Sequence, residues 1–235
     1  MCRPLLAVAD HFFTDASLEL RERNDEWAAV ASRAGVARDR LLLLHQVHGR
    51  TVVARTEAEK WIRPEADGVV SDDPSSALVV RVADCAPILM ADGRQGMVAA
   101  VHAGWRSTMQ RIVDAAIKEM QTRFGSDPRD VVAAIGPSLG RCCGEMGDEV
   151  VEAFRAAGHG NNDIERWFER TPGRKPHFDL WRANHDQLTR AGVPAGQIFS
   201  AGLCTRTHAG NFHSYRAAGA SAGRMAAVIR AAPRA

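Results

Sequence analysis

From residue 66 to residue 101, apolar and β-branched residues arrive in short runs cut by Asp, Ser and Pro: DGVVSDD, ALVVRVADC, APILMAD and MVAAV. Runs of this length and make-up predict successive strands. LLLL at 41–44, TVVA at 51–54, VVAAI at 131–135 and IFSAGL at 198–203 predict more, several with no polar face, so a sheet covered on both sides is expected. Helical spacing is clearest after HAGWR, where Met109, Ile112, Val113, Ala116, Ile117 and Met120 recur at threes and fours. Ser107 with Gln110 three residues on has the form of a capping box, and Gly125 stands past the far end. Other helices are expected near 26–34, 148–157 and 180–191, the last behind an Asp179 cap. Residues 159–177, polar with Gly and Pro, are expected to form a long surface loop.

Strands and helices are interspersed without regular alternation, and no GxGxxG or GxxxxGK[ST] phosphate loop is present. The expected class is α/β, a mixed β-sheet core flanked by helices, with residues 1–235 as one domain. At 46% apolar residues the chain can bury a substantial core. The net charge of +2 provides no field that argues for nucleic acid or an anionic membrane, which favours a small-molecule partner. Five cysteines, an odd number, and no signal-like apolar stretch at the start point to the reducing cytoplasm. No run approaches the roughly 18 apolar residues of a membrane span.

His48, Cys85 and His102 stand at the ends of separate apolar runs, in QVHG, VADCAP and AAVHAGWR. Two imidazoles and a thiolate suit a borderline-soft ion such as zinc, and three ligands leave a fourth position for water or substrate. Their spacing matches no zinc ribbon or finger, so tertiary folding must assemble the site. His45, three residues before His48, is an alternative ligand that spacing alone does not separate from it. Individually, His102 reads equally as a core histidine, Cys85 as a small buried hydrophobe and Asp84 as a strand-end turn residue. In combination, Cys85 becomes a nucleophile beside a base, and Asp84 a general acid or a partner of a ligand histidine.

The strand that ends at His102 runs into the helix start at Gly104-Trp105-Arg106-Ser107, where free N–H groups and a guanidinium attract phosphate. From Ala201 to Ala235 there are five arginines and no acid. Arg230 and Arg234 read as a solvated tail; Arg206, Arg216 and Arg224, among Cys, His, Tyr and Gly, are better placed for a cleft. Cys142 and Cys143, in the Gly-rich IGPSLGRCCGEMG, read as packing residues.

QVHG at 46–49, ADGVVSD at 66–72, ADCAPIL at 83–89, VHAGWR at 101–106, IGPSLGRCCGEMG at 135–147, and SYR with GRMAAVI near the C-terminus together resemble the bacterial laccase-domain family. The resemblance runs in order from about residue 41 to 230. Members of that family were first called multicopper polyphenol oxidases and are now regarded as purine nucleoside phosphorylases with adenosine deaminase activity. The resemblance implies an α/β domain related to a toxin deamidase, with catalytic zinc on His48, Cys85 and His102, and it favours His48 over His45. Three departures stand out: HAGWRS where HAGWRG is usual, CCGEM where CCYEV is usual, and no TR-x-GG stretch after HFFT.

The expected activity is therefore phosphorolysis of adenosine, inosine or methylthioadenosine to free base and ribose 1-phosphate, with adenosine deamination as a side reaction. Arg106, Ser107 and Arg216 are the expected phosphate and substrate residues, Cys85, His102 and Asp84 the catalytic ones. Copper is the alternative metal, yet nine histidines without one H-x-H pair argue against a multicopper oxidase of phenols. The other rivals are a metal-free Cys85/His102 hydrolase or deamidase, and a non-catalytic partner protein with a vestigial pocket.

Overall fold

The apolar runs become strands β1 (Ala9–Phe13), β2 (Leu41–Leu43), β3 (Val52–Arg55), β4 (Gly68–Ser71), β5 (Ala77–Val82), β6 (Ala86–Asp92), β7 (Met97–Ala103), β8 (Val131–Ile135), β9 (Phe168–Glu169), β10 (His177–Phe178), β11 (Ile198–Ser200) and β12 (Met225–Ala231). Between them lie helices α1 (Arg3–Leu6), α2 (Trp27–Ala34), α3 (Trp105–Met109), α4 (Ile112–Phe124), α5 (Asp148–Ala156), α6 (Asn161–Trp167), α7 (Leu180–Arg190) and α8 (Tyr215–Ala218). The structure is a computed structural model that describes residues 1–21, 25–55 and 61–232.

The strands form two mixed sheets, β1-β12-β5-β2 and β11-β8-β6-β7-β4-β3, beside the small β9-β10 hairpin. Period-two alternation decides how the sheets stack. In β6 and β7, Leu89, Ala91, Val98 and Ala100 face Leu42, Leu78, Val80, Ala227 and Ile229 of the other sheet. Ile88, Met90, Ala99 and Val101 face the opposite way and pack with Ile112, Ile117 and Met120 of α4, Phe154 of α5 and Ala183 of α7. The outer face of the four-stranded sheet, with Val79 and Val228, is covered by Trp27 and Val30 of α2. The order of layers is helix, sheet, sheet, helices, and β6 and β7 are buried at every position because both their faces are covered.

This mixed α/β architecture agrees with the class expected from the sequence, and several details differ. β12 sits between β1 and β5, so Arg230 is no tail residue: its guanidinium pairs with Asp10 at 2.6 Å and donates to the Gly35 carbonyl at 3.0 Å. Arg234 lies outside the described residues. The helix after HAGWR is interrupted at Arg111, whose φ of 59° ends α3 before α4 begins. Gly104 is the N-cap of α3, with no side-chain cap hydrogen bond. The capping box does not form because Ser107 lies inside α3, 0% exposed, and the Gln110 amide donates instead to the Arg106 and His48 carbonyls.

Residues 159–177 are not a loop. Ile164, Trp167 and Phe168 are buried, and Trp167 and Phe168 pack edge-on against Phe154, drawing the segment into α6 and the β9-β10 hairpin. The buried aromatic area outweighs the polar composition between these residues. Asp179 does cap α7, accepting the Arg182 N–H at 2.9 Å. No helix among the described residues is long and apolar enough to cross a membrane.

Candidate functional site

Between β5 and β6 the chain leaves the four-stranded sheet for the six-stranded one, and Asp84 and Cys85 occupy that crossing. The abrupt change of direction puts Asp84 at φ 85°, a conformation few non-glycine residues adopt. β7 runs beside β6 with His102 opposite Pro87, which brings His102 next to the crossing. His48 arrives on the turn between β2 and β3, itself at φ 59°.

Asp67, just before β4, holds that turn in place. Its carboxylate accepts the N–H groups of Val47 at 3.2 Å, His48 at 2.9 Å and Gly49 at 2.6 Å. Oδ1 also accepts His102 Nδ1–H at 2.8 Å. Burial pushes the Asp67 carboxyl up, but His102 and the backbone donors outweigh it and hold the group below the usual carboxylate range. One buried anion thus orients both histidines.

The ligand atoms of His48, Cys85 and His102 all lie within 4.8 Å of one another. Cys85 Sγ is 3.8 Å from His48 Nε2, and the two imidazole rings meet edge-on with centroids 4.7 Å apart. Because Asp67 takes Nδ1–H of His102, its Nε2 is left as the donor. Burial works against a charged Cys85 and a charged His102. The imidazoles nevertheless bring the thiol down to about 6, while Cys85 and Asp67 raise His102. Gly104 closes the back of this cluster: a Cβ there would stand 2.9 Å from Cys85 Sγ and 3.1 Å from His48 Cδ2. Two imidazoles and a low-pKa thiol, oriented from behind and open in front, fit a zinc-like ion with one free position.

All three residues open into a cavity of about 800 Å³, within the range of small-molecule sites. Asp84, Arg106 and Arg216 line it too, as do Arg21, Arg81 and Arg224, and Asp84 is the single acid among the lining residues. Both Asp84 oxygens are engaged, by Thr205 Oγ1–H and by the Arg216 backbone N–H, each at 2.6 Å. The Arg106 guanidinium lies 4.2 Å over the Trp105 ring, and Arg216 Nη1 donates to the Cys143 carbonyl at 3.0 Å. Ser107 faces the interior instead, its hydroxyl without a partner among the described residues. Arg206 is not among the lining residues.

Trp105 and Tyr215, the latter 56% exposed, also line the cavity. Sequence reasoning did not single out Asp67, Arg21, Arg81 or either ring. Asp67 carried a signal all the same, since an acid beside Gly in ADGVVSD is a turn-holding pair. The CCGEM departure also has a structural correlate. A Cβ at Gly144 would meet the Phe178 carbonyl at 2.4 Å, so β10 backbone stands where a side chain would need room.

A family model described as multi-copper polyphenol oxidoreductase laccase matches residues 14–232. A purine nucleoside phosphorylase of Bacteroides thetaiotaomicron is 41% identical over 159 residues, 68% of this chain and 58% of that protein, so the match spans less than two thirds of that relative. One from Deinococcus radiodurans is 38% identical over 96% of this chain and 90% of its own length. A protein named adenosine deaminase RL5, from an unknown prokaryotic organism, is 38% identical over 85% of this chain and 78% of its own. The crystal structure of YlmD from Geobacillus stearothermophilus superposes with a TM-score of 0.87 at 27% identity, covering 98% of this chain and 94% of that one.

Proposed function

This chain belongs to the multi-copper polyphenol oxidoreductase laccase family, and from that premise we propose that it is a purine nucleoside phosphorylase with adenosine deaminase as a second activity. The observation that carries the reading is one cavity holding a His48–Cys85–His102 donor set and five arginines against a single engaged acid. Such a charge balance selects an anionic co-substrate beside a neutral nucleoside. Relatives named as phosphorylases and as a deaminase support the same reading.

Arg106 and Arg216 hold phosphate beside the ribose, one oxygen in line with the anomeric carbon. Phosphate attacks that carbon, the glycosidic bond breaks, and its electron pair leaves with the purine. Trp105 and Tyr215 stack on the base. Asp84 accepts the Arg216 backbone N–H and so sets where phosphate sits. His48, Cys85 and His102 would hold a metal ion, zinc in preference to copper, which would supply Lewis-acid charge and lower the pKa of a water for deamination. Ser107, enclosed within α3, contributes to the position of Arg106 rather than to a phosphate contact. The cytoplasm is the expected compartment.

The thiol–imidazole contact favours one second reading, a metal-free Cys85 hydrolase. Phenol oxidation by a copper cluster finds no support in the donor groups: among the described residues the two metal-capable sets are this one and a trio of cysteines, with no histidine cluster. Chromatographic product analysis after incubation with adenosine or inosine, with and without phosphate, tests the proposal beside a folded Cys85→Ala variant. Phosphate-dependent base and ribose 1-phosphate, lost in the variant, are expected. Base release without phosphate that survives chelation would replace the proposal with the hydrolase.

A further inference from the structure

Behind the cavity wall lies a second group of soft donors that the proposed reaction does not use. Cys142 and Cys143 sit on the turn after Gly140, and Cys204 follows β11 on a segment bridged to Ser138. Their sulfurs all lie within 4.8 Å of one another, and Cys142 and Cys143 are 3.7 Å apart. Three sulfurs bound to one ion by metal–sulfur bonds of about 2.3 Å stand about 4.0 Å apart in a plane. The trio is therefore near that spacing before any ion arrives.

The backbone holds the two segments in this position. The Ser138 N–H donates to the Leu203 carbonyl at 3.2 Å, and the Thr205 N–H to the Ser138 carbonyl at 3.0 Å. Gly140 permits the approach, since a Cβ there would lie 2.8 Å from the Trp181 ring and 3.1 Å from Cys204 Cβ. Cys143 and Cys204 are buried while Cys142 is exposed, which leaves a path for an ion. Burial opposes ionisation of both Cys204 and Cys142. Hydrogen bonds from Thr207, Gly140 and Cys142 hold Cys204 below its ordinary value, while burial and the neighbouring Cys204 and Cys143 push Cys142 up, so the first proton lost from the trio comes from Cys204. The Arg216 guanidinium donates to the Cys143 carbonyl at 3.0 Å and so ties the turn to the cavity wall.

We propose that Cys142, Cys143 and Cys204 form a three-coordinate thiolate site for a soft monovalent cation of the Cu(I) type, separate from the His48–Cys85–His102 set. Among the described residues no fourth His, Cys, Asp or Glu joins the trio. Structural zinc takes four protein ligands, whereas all-thiolate sets of low coordination select Cu(I). A bound ion would tie the Gly140–Gly144 turn to the Cys204 segment. Leu139 and Gly144, which line the cavity, lie at either end of that turn.

The test uses the full-length chain carrying Cys85→Ala, so that the first donor set lacks its thiolate. Reduced and free of oxygen, it is titrated with Cu(I) against a chromophoric Cu(I) chelator, and the bound copper is examined by X-ray absorption. One ion per chain with three sulfur neighbours is expected. Cys142→Ser, at an exposed position, should lower the affinity at least 100-fold with an unchanged circular dichroism spectrum, and Cys204→Ser should do the same. Failure to retain copper while the three thiols titrate as free, or retention that neither serine substitution weakens, overturns the site.

Discussion

Asp67 and His102 are joined twice: the ring Nδ1–H donates to Asp67 Oδ1 at 2.8 Å, and the His102 backbone N–H donates to the Asp67 carbonyl at 2.7 Å. The same carboxylate collects the three N–H groups of the His48 turn. Asp67→Asn keeps the size of the side chain and removes its charge. Loss of such a partner costs about 10–100-fold in metal affinity, measurable by competition with a chromophoric zinc chelator. An unchanged affinity would show that Asp67 only shapes the turn.

Gly104→Ala separates the donor cluster from the fold. Its φ of −79° suits alanine, so the melting temperature should hardly move, while the added methyl presses on Cys85 Sγ and His48 Cδ2. Metal affinity is expected to drop by at least about tenfold, or ~1.4 kcal/mol. Full metal retention at native affinity would mean that Cys85 and His48 move aside together.

Arg106 is exposed and makes its ring contact with its own neighbour, Trp105. If it holds phosphate, Arg106→Ala removes hydrogen bonds to a charged group, each contributing about 1.5–3 kcal/mol. The KM for phosphate should then rise by about 10–100-fold with thermal stability unchanged. Steady-state kinetics at varied phosphate decides it, and a KM within twofold of wild type would remove Arg106 from the phosphate site.

Asp73 supplies the pH dependence far from the cavity. It is 3% exposed and accepts from Ser75 N at 2.8 Å, Ser75 Oγ at 2.6 Å and Ser76 Oγ at 2.7 Å. Burial raises its carboxyl, but these serine bonds, with Arg40, outweigh burial and hold it below the usual value. Its contribution is therefore complete above the unfolded pKa of about 3.9 and disappears as pH falls through the lower folded value. In urea unfolding, Asp73→Asn should cost about 1–3 kcal/mol at pH 7, with the gap from wild type closing as pH falls below the ordinary carboxylate range. A gap independent of pH would trace the loss to geometry rather than charge.

Phe154 packs against His159, Trp167, Phe168 and Phe178 at ring distances from 5.1 to 6.0 Å. Phe154→Ala empties the centre of that group, and truncations of this kind cost about 3–5 kcal/mol. Urea titration should show the midpoint falling with an unaltered slope. A loss under about 1 kcal/mol would mean that the rings close over the cavity.

Much of the architecture was legible along the chain because strand and helix periodicities are local. The runs at 41–44, 68–71, 77–82, 86–92 and 131–135 declare themselves by apolar β-branched content, and α7 by its Asp179 cap. Where local pattern and distant packing disagreed, packing prevailed. Polar residues 159–177 were drawn into α6 and the hairpin by Phe154.

Sequence alone proposed His48, Cys85 and His102 through their chemistry and their places at strand ends, and it placed arginines in an acid-free C-terminal stretch. It did not determine that β5 and β6 belong to different sheets, which is what sets Cys85 at a crossing beside His102. Nor did it reveal that Asp67 serves both histidines, or that Cys204 lies against the 142–143 pair. A residue type and its neighbours fix what a side chain is able to bind. Which donors share one point in space depends on pairings between segments tens of residues apart, and hydrophobic burial of two stacked sheets decided those pairings.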